Sequence, residues 1–360
     1  MSQTALYPWL ASSEARTGLY NGVETALSFG STADELAALR SGCGVFSLGW
    51  RARINVTGKD RVRWLHNMVT NNVRDLPPNR GNYNFVLNVQ GRILGDLYIY
   101  NRGESVLLET DASQAETLIN AMKRFIIMDK VELAREGEAL AALGICGPKA
   151  EKILAGAGID VAGMQPLEVR DLSIEGAQAT LTRGPEQKPG WFEIWLPLEA
   201  APRLWEGLVR AGATPVGAEA LEMWRVLRGI PNYGQDIRDR DLPQETEQMQ
   251  ALNFTKGCYI GQEIVERIRS RGQVHRTFVG FIFGETVAAA GKYESEGRAI
   301  AEITSIARVP VSGSEKGINL GLGYVRREAL AAGPKIDLNG IAVTVTNLPF
   351  EEQPLENQKH

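Results

Sequence analysis

With 360 residues, 44% of them hydrophobic and 23% charged, the chain has an ordinary globular composition, and at roughly 150 residues per domain it has room for two or three domains. Its 39 Lys and Arg against 43 Asp and Glu leave a net charge of −4, which excludes a surface basic enough to coat nucleic acid, though not a local basic groove. Three widely spaced cysteines (Cys43, Cys146, Cys258) and three histidines exclude a disulfide framework, a His-rich metal site, and an iron–sulfur cluster held by this chain alone.

A polar, irregular opening leads to a short helical pattern at Ala33 to Arg40, stopped by Gly42 and Gly44. Next come a strand at Arg51 to Val56 and a helix at Asp60 to Thr70 with Val62, Leu65 and Val69 on one face. After Pro77-Pro78, strands at Asn82 to Leu87, Arg92 to Tyr100 and Ser105 to Glu109 are separated by the turn-rich VQGR and NRGE. A helix from Ala112 to Ile127 and a strand at Lys130 to Leu133 complete a β-α-β-β-β-α-β series. The same order recurs about 90 residues later. Its elements are a strand at Leu140 to Ile145, a helix at Pro148 to Ala155, strands at Leu167 to Ile174, Gln178 to Thr182 and Trp191 to Leu196, a helix at Glu199 to Ala211, and a strand near Thr214. Two α+β sheets facing each other across a cleft follow from a repeat of this kind. A helix at Gly217 to Arg228 ends at Gly229-Ile230-Pro231. Beyond residue 275 the texture changes to short, glycine-punctuated strands (Thr277 to Phe283, Arg298 to Ile306, Leu320 to Tyr324, Lys335 to Leu338, Ala342 to Thr346), which suggests a separate small β-barrel or sandwich.

The zincin, G-x-S-x-G, P-loop and dinucleotide-binding patterns are missing, as are a secretory leader and an apolar run of roughly 20 residues. The expectation is a soluble, cytoplasmic protein with no metal, nucleic-acid or membrane partner. The most informative stretch is Asn253 to Arg271. Ile260, Ile264, Val265 and Ile268 form a helical stripe, and Cys258 stands just before it or on its first turn. A helix N-terminus and Lys256 favour a thiolate there, whereas a lone Cys is otherwise a small residue filling a tight turn.

Lys256-Gly257-Cys258-Tyr259-Ile260-Gly261-Gln262-Glu263 resembles the hallmark of the YgfZ family, folate-binding relatives of the glycine-cleavage T-protein, an aminomethyltransferase. The resemblance extends to Val45 to Ser47, Asn55 to Leu65, Gly81 to Asp96, Gly190 to Ile194, Arg225 to Asp236, Leu242 to Glu245, Ala301 to Ser305 and Leu348 to Phe350. It implies a three-lobed α+β fold. Residues 1–275 would form the folate-binding region, as two ferredoxin-like lobes at about 45–135 and 136–275, and residues 276–360 a C-terminal β-barrel.

A pterin presents adjacent N–H donors that one carboxylate accepts together, and an aromatic side chain can flank its ring. By resemblance Glu193 is the pterin carboxylate, with Tyr83, Arg225 and Tyr233 lining the tetrahydrofolate site. Each also has an ordinary structural role open to it: a strand's solvent face for Glu193, the core edge for Tyr83, a helix-surface charge for Arg225. Asp96 matches the second position of the T-protein's acidic pair, the first being Gly95 here, and as an acid near a folate nitrogen it would steer a proton or stabilise an iminium. Cys258 and Lys256 complete the expected catalytic set. Cys258 stands where the T-protein has an acidic residue, a departure that moves the reading towards the YgfZ branch; Glu351 and Glu352 follow where the T-protein would be more basic, a departure from its tail contact.

The function implied is assistance to iron–sulfur cluster synthesis or repair, with iron–sulfur enzymes or assembly factors as clients. The alternatives are an aminomethyltransferase working with a lipoyl carrier protein, a folate-dependent demethylase, and a folate-binding module without chemistry.

Overall fold

The computed structural model describes residues 2–350 apart from 138, 187–188, 273, 296, 311–316 and 332; Glu351 and Glu352 therefore lie outside the described residues. Its fold is mixed α/β, with mostly antiparallel sheets. The chain divides into two compact units. The first comprises Met1–Val86, Asp96–Leu221 and Thr255–Tyr259, and the second Leu87–Gly95, Glu222–Phe254 and Ile260–His360.

Two sheets dominate the first unit. One has the strand order Gly81–Leu87, Ile93–Asn101, Val106–Asp111, Arg51–Thr57, Glu132–Arg135. The other runs Val169–Ile174, Ala177–Arg183, Gly190–Pro197, Leu140–Gly147, Gly44–Ser47, Thr214–Pro215. The order is the same in both, except that Gly44–Ser47 is inserted before the last strand of the second. The repeat seen as an element series is thus also a repeat of topology. Phe192, Ile194 and Leu196 on one face of Gly190–Pro197 enter a core with Val45, Leu143, Ile145 and Leu204. Trp191, Glu193 and Trp195 occupy the opposite face, since side chains alternate along a strand.

The helix expected at 60–70 spans Arg61–Met68 and buries Trp64, Leu65 and Met68. It stops because Val69 is extended and bridges to Val86. The helix Ala112–Lys123 is capped by Asp111, whose side chain accepts from the Ser113 amide. It ends four residues earlier than its apolar run: Phe125 and Ile126 donate to Met122 and Lys123, tightening the last turn, and Ile127 and Met128 are exposed. The opening stretch is not irregular. It forms the helix Tyr7–Ala11 and a hairpin, Arg16–Tyr20 with Val23–Ser28. Asn21 and Gly22 at its tip have φ of 47° and 80°, the left-handed pair that a two-residue hairpin of right-twisted strands requires.

The second unit carries a six-stranded sheet in the order Gly291–Ser295, Arg298–Val309, Ile318–Arg326, Arg276–Phe283, Ala342–Thr346, Lys335–Asp337. Among the described residues its two edges do not pair, so the sheet is open rather than a closed barrel. Burial alternates along Arg298–Val309, and Phe281, Ile303, Val325 and Val343 fill the core on its inner face. Among the described residues, no helix is long and apolar enough to cross a membrane.

Candidate functional site

In the first unit one face of the five-stranded sheet is polar although it is covered. Leu97 and Ile99 point to the opposite, apolar side, leaving Asp96, Tyr98 and Tyr100 on the polar one. Tyr98 stands opposite Glu109 in the ladder, and Glu109 opposite Arg53, so polar side chains cross three strands side by side. Tyr100 and Leu107 pack on Val169, which brings the second sheet over this face. Arg53 lies over the Trp195 ring, 5.0 Å from its centroid.

Asp96 is clamped. Its carboxylate accepts from the Tyr83 hydroxyl at 2.5 Å and from Gln114 Nε2 at 2.9 Å, while its amide donates to Gln114 Oε1 at 3.0 Å. Burial first, and then the Asp96 charge, keep the Tyr83 hydroxyl protonated far above its ordinary range. Tyr83 therefore acts as a fixed donor, and Asp96 presents a carboxylate of set orientation. Its side chain is half-buried, which leaves it open to a reacting group.

Glu193 accepts from Trp191 Nε1 at 2.9 Å, and Glu109 pairs with Arg51 at 3.1 Å. Arg53, the ladder partner of Glu109, lies over Trp195 on the same strand face as Glu193, which sets the two carboxyl groups against one another. Their Oε2 atoms are buried and, among the described residues, have no donor; Trp195 Nε1 and Arg51 Nε are also unpartnered. Burial, followed by the charge of Glu109, pushes Glu193 well above the carboxylate range. Glu109 is held below that range by Arg51, against the effect of burial. Burial also opposes the Arg51 charge, but Glu109, Glu193, Asp111 and Asp96 outweigh it and hold the guanidinium protonated. Tyr83, Tyr98, Tyr100 and Trp191 supply aromatic surface around this cluster. A carboxyl group with a buried free oxygen among aromatic rings fits the N–H edge of a pterin.

The Cys258 loop is built from anchors. Lys256 is buried and its Nζ donates to the carbonyls of His66, Val69 and Asn71 at 2.5, 2.6 and 2.8 Å, closing the end of the helix Arg61–Met68. The same ammonium lies 4.9 Å from the buried Tyr259 ring. Gly257 and Cys258, between these two, are exposed. Cys43 and Cys146 are buried, and burial pushes Cys43 up to about 12. The helix after the motif begins at Gln262 with Gly261 as its N-cap, so Cys258 stands before the helix and not on its first turn. His66, beside this loop, is brought down to about 4 by burial and then by Lys256, so it is neutral at pH 7.

In the second unit Gly261 has φ +81°, and a Cβ there would come within 2.6 Å of the Asn88 carbonyl. Gly91, at φ +69°, meets the Ile264 side chain in the same way. The two glycines thus let the VQGR turn lie against the helix start. Gln262 opens that helix, and Glu263 is exposed and pairs with Arg267 at 3.1 Å. Arg225 is engaged by the fully buried Asp236 at 2.6 Å, by Glu222, and by Ser305 Oγ at 2.8 Å. The Tyr233 hydroxyl donates to the Leu94 carbonyl at 2.8 Å.

Of the residues expected from sequence, Tyr83, Asp96 and Glu193 come together in the first unit with Glu109, Arg51, Tyr98, Tyr100 and Gln114, which sequence reasoning missed. A charge within an otherwise apolar strand, such as Glu109 in Val106–Asp111, is the signal that could have found the charged ones.

Residues 6–256 match the family model described as the GCVT N-terminal domain. The chain is 27% identical over 360 residues to an aminomethyltransferase of Herpetosiphon aurantiacus, covering 97% of this chain and 98% of that one. It is 26% identical over 348 residues to an aminomethyltransferase of Bacillus subtilis, covering 94% of each. The crystal structure of glycine cleavage system aminomethyltransferase T from Bartonella henselae superposes with a TM-score of 0.85 at 23% identity over 98% of both chains, which shows a common fold.

Proposed function

The chain belongs to the GCVT N-terminal domain family, and on that premise we propose that it binds tetrahydrofolate at the polar face of the first unit. Glu193 is the pterin carboxylate, Tyr83 lines the ring, and Asp96 faces the folate nitrogens. The observation that carries this reading is the buried, donorless oxygen of Glu193 among tyrosines and a tryptophan, where an apolar core would place no carboxyl group. Arg225 and Tyr233, which the resemblance also puts forward for folate, lie in the second unit. Glu193→Ala should weaken tetrahydrofolate by about 1.5–3 kcal/mol, the scale of hydrogen bonds to a charged group. Unchanged affinity by calorimetry in a folded variant removes Glu193 from the site.

The aminomethyltransferase names of the similar proteins favour a folate-dependent transfer of a one-carbon unit from a lipoyl carrier protein, with release of ammonia. In that reaction the clamped Asp96 guides the proton and stabilises the cationic carbon. A second reading rests on Cys258. An exposed thiol held between two buried anchors in the Lys256 to Glu263 motif favours YgfZ-type assistance to iron–sulfur enzymes in a soluble compartment. The two readings separate experimentally. Purified protein supplied with aminomethyl-loaded lipoyl carrier and tetrahydrofolate should release ammonia under the first, with Asp96→Asn inactive and Cys258→Ala active. Under the second, iron–sulfur enzyme activities in a deletion strain are restored by wild type but not by Cys258→Ala.

A further inference from the structure

Glu109 has no place in the site expected from sequence, yet it is 1% exposed and touches the proposed pterin carboxyl. We propose that Glu109 is a positioning residue that holds Glu193 as the acid of a carboxyl–carboxylate pair, so that a pterin binding to Glu193 displaces one proton to solvent. The inference deepens the folate reading and rests on it.

Two buried carboxylates set against one another carry only acceptors and repel, so the pair keeps one proton. Neighbours decide where it resides. Glu109 has Arg51 at 3.1 Å and Arg53 across the ladder, whereas the donor on Glu193 is the neutral Trp191 indole at 2.9 Å. The other ionisable groups facing the pair are Tyr98, Tyr100 and Asp96 from Ile93–Asn101, and Asp111 from the strand of Glu109; Glu136 lies on Arg53 at 3.5 Å. The tyrosines are held neutral, chiefly by burial, and the remaining acids add to the field against a second negative charge. The direction in which burial and Glu109 move Glu193 agrees with this placement.

A pterin offers two adjacent N–H donors, and a carboxylic acid meets them with one good acceptor and a competing donor. The bidentate contact therefore forms with ionised Glu193. Its proton leaves to the buffer, and the charge on Glu193 is taken up by the pterin edge and Trp191. Affinity then falls tenfold for each pH unit below the Glu193 titration and is flat above it.

The test is calorimetry of the full-length protein with tetrahydrofolate in buffers of different ionisation enthalpy, alongside carboxyl-carbon NMR of the ligand-free protein labelled at Glu. Expected are a release of close to one proton per site at pH below the Glu193 titration, and a single Glu resonance titrating far above the others that disappears in Glu193→Gln. In Glu109→Gln the release should diminish, with binding retained, because burial alone is left to hold the proton on Glu193. Binding without proton exchange in wild type at such pH, or an undiminished release in Glu109→Gln, overturns the proposal. Failure of tetrahydrofolate to bind at all removes the folate reading. In that event the ligand-free titration still decides the pair, and uniformly ordinary Glu titrations end it.

Discussion

Lys256 is the residue of the motif whose replacement has the most calculable effect. Lys256→Met keeps much of the side-chain volume but removes the ammonium that lies over Tyr259 and donates to three carbonyls, those of His66, Val69 and Asn71. A buried polar group left without a partner costs about 1–3 kcal/mol, so three would cost several. The substitution also removes a buried ammonium, whose pKa is brought down to about 7 by burial and then by Arg74. That relief offsets part of the loss, leaving a net destabilisation of about 2–4 kcal/mol. At roughly 2–4 °C per kcal/mol for a unit of this size, its thermal transition should fall by roughly 4–16 °C. The pH dependence gives a second arm. The folded-state pKa lies below the ordinary 10.5, so the unfolded chain binds more protons between about 7 and 10.5, and wild-type stability gains with pH across that window relative to Lys256→Met. The assays are calorimetric melting and hydrogen exchange of the Thr70 amide, which donates to Phe85 beside the anchored carbonyls. An unmoved transition together with unchanged exchange would refute the view that this lysine ties the thiol loop to the helix Arg61–Met68.

Limiting alkylation of the native protein, mapped by mass spectrometry, should label Cys258 well before Cys43 or Cys146; early labelling of either buried thiol removes Cys258 as the accessible one. Arg225→Ala leaves the fully buried Asp236 without its cation and should cost about 3–5 kcal/mol, read by urea unfolding, with Asp236→Asn in the same background recovering part of the loss. Burial favours the neutral form of Glu302, but Arg238, Arg240 and Arg276 outweigh it and hold its carboxyl below the usual range. Its stabilising contribution is therefore complete above the ordinary pKa and is lost as pH falls through the lowered one. Glu302→Gln should lower stability at pH 7 and flatten its acid dependence, and an unchanged acid limb in that variant contradicts the assignment.

Local signals in the chain were enough for the element series. Periodicity and Gly and Pro punctuation placed the strands of both α+β sheets and most helices, because those signals act over a few residues and the backbone must satisfy its hydrogen bonds locally. The same locality explains the misses. Phe125 to Met128 continue an apolar pattern after the hydrogen bonding of the helix has ended, and the Asn21-Gly22 hairpin has strands too short and too weakly alternating to declare themselves. The strand Gly44–Ser47 is recognisable only by the two strands it lies between.

The resemblance drawn from the Lys256 to Glu263 motif led to Glu193, Tyr83 and Asp96, and the chain alone established that Cys258 lies between a lysine and a tyrosine. Tertiary structure decided what those neighbours do. Lys256 spends its charge on carbonyls some 190 residues earlier in the chain, and Glu193 meets Glu109 only because one sheet covers the polar face of another. Proton sharing between carboxyls depends on separation in space and on desolvation, and the order of residues along the chain specifies neither.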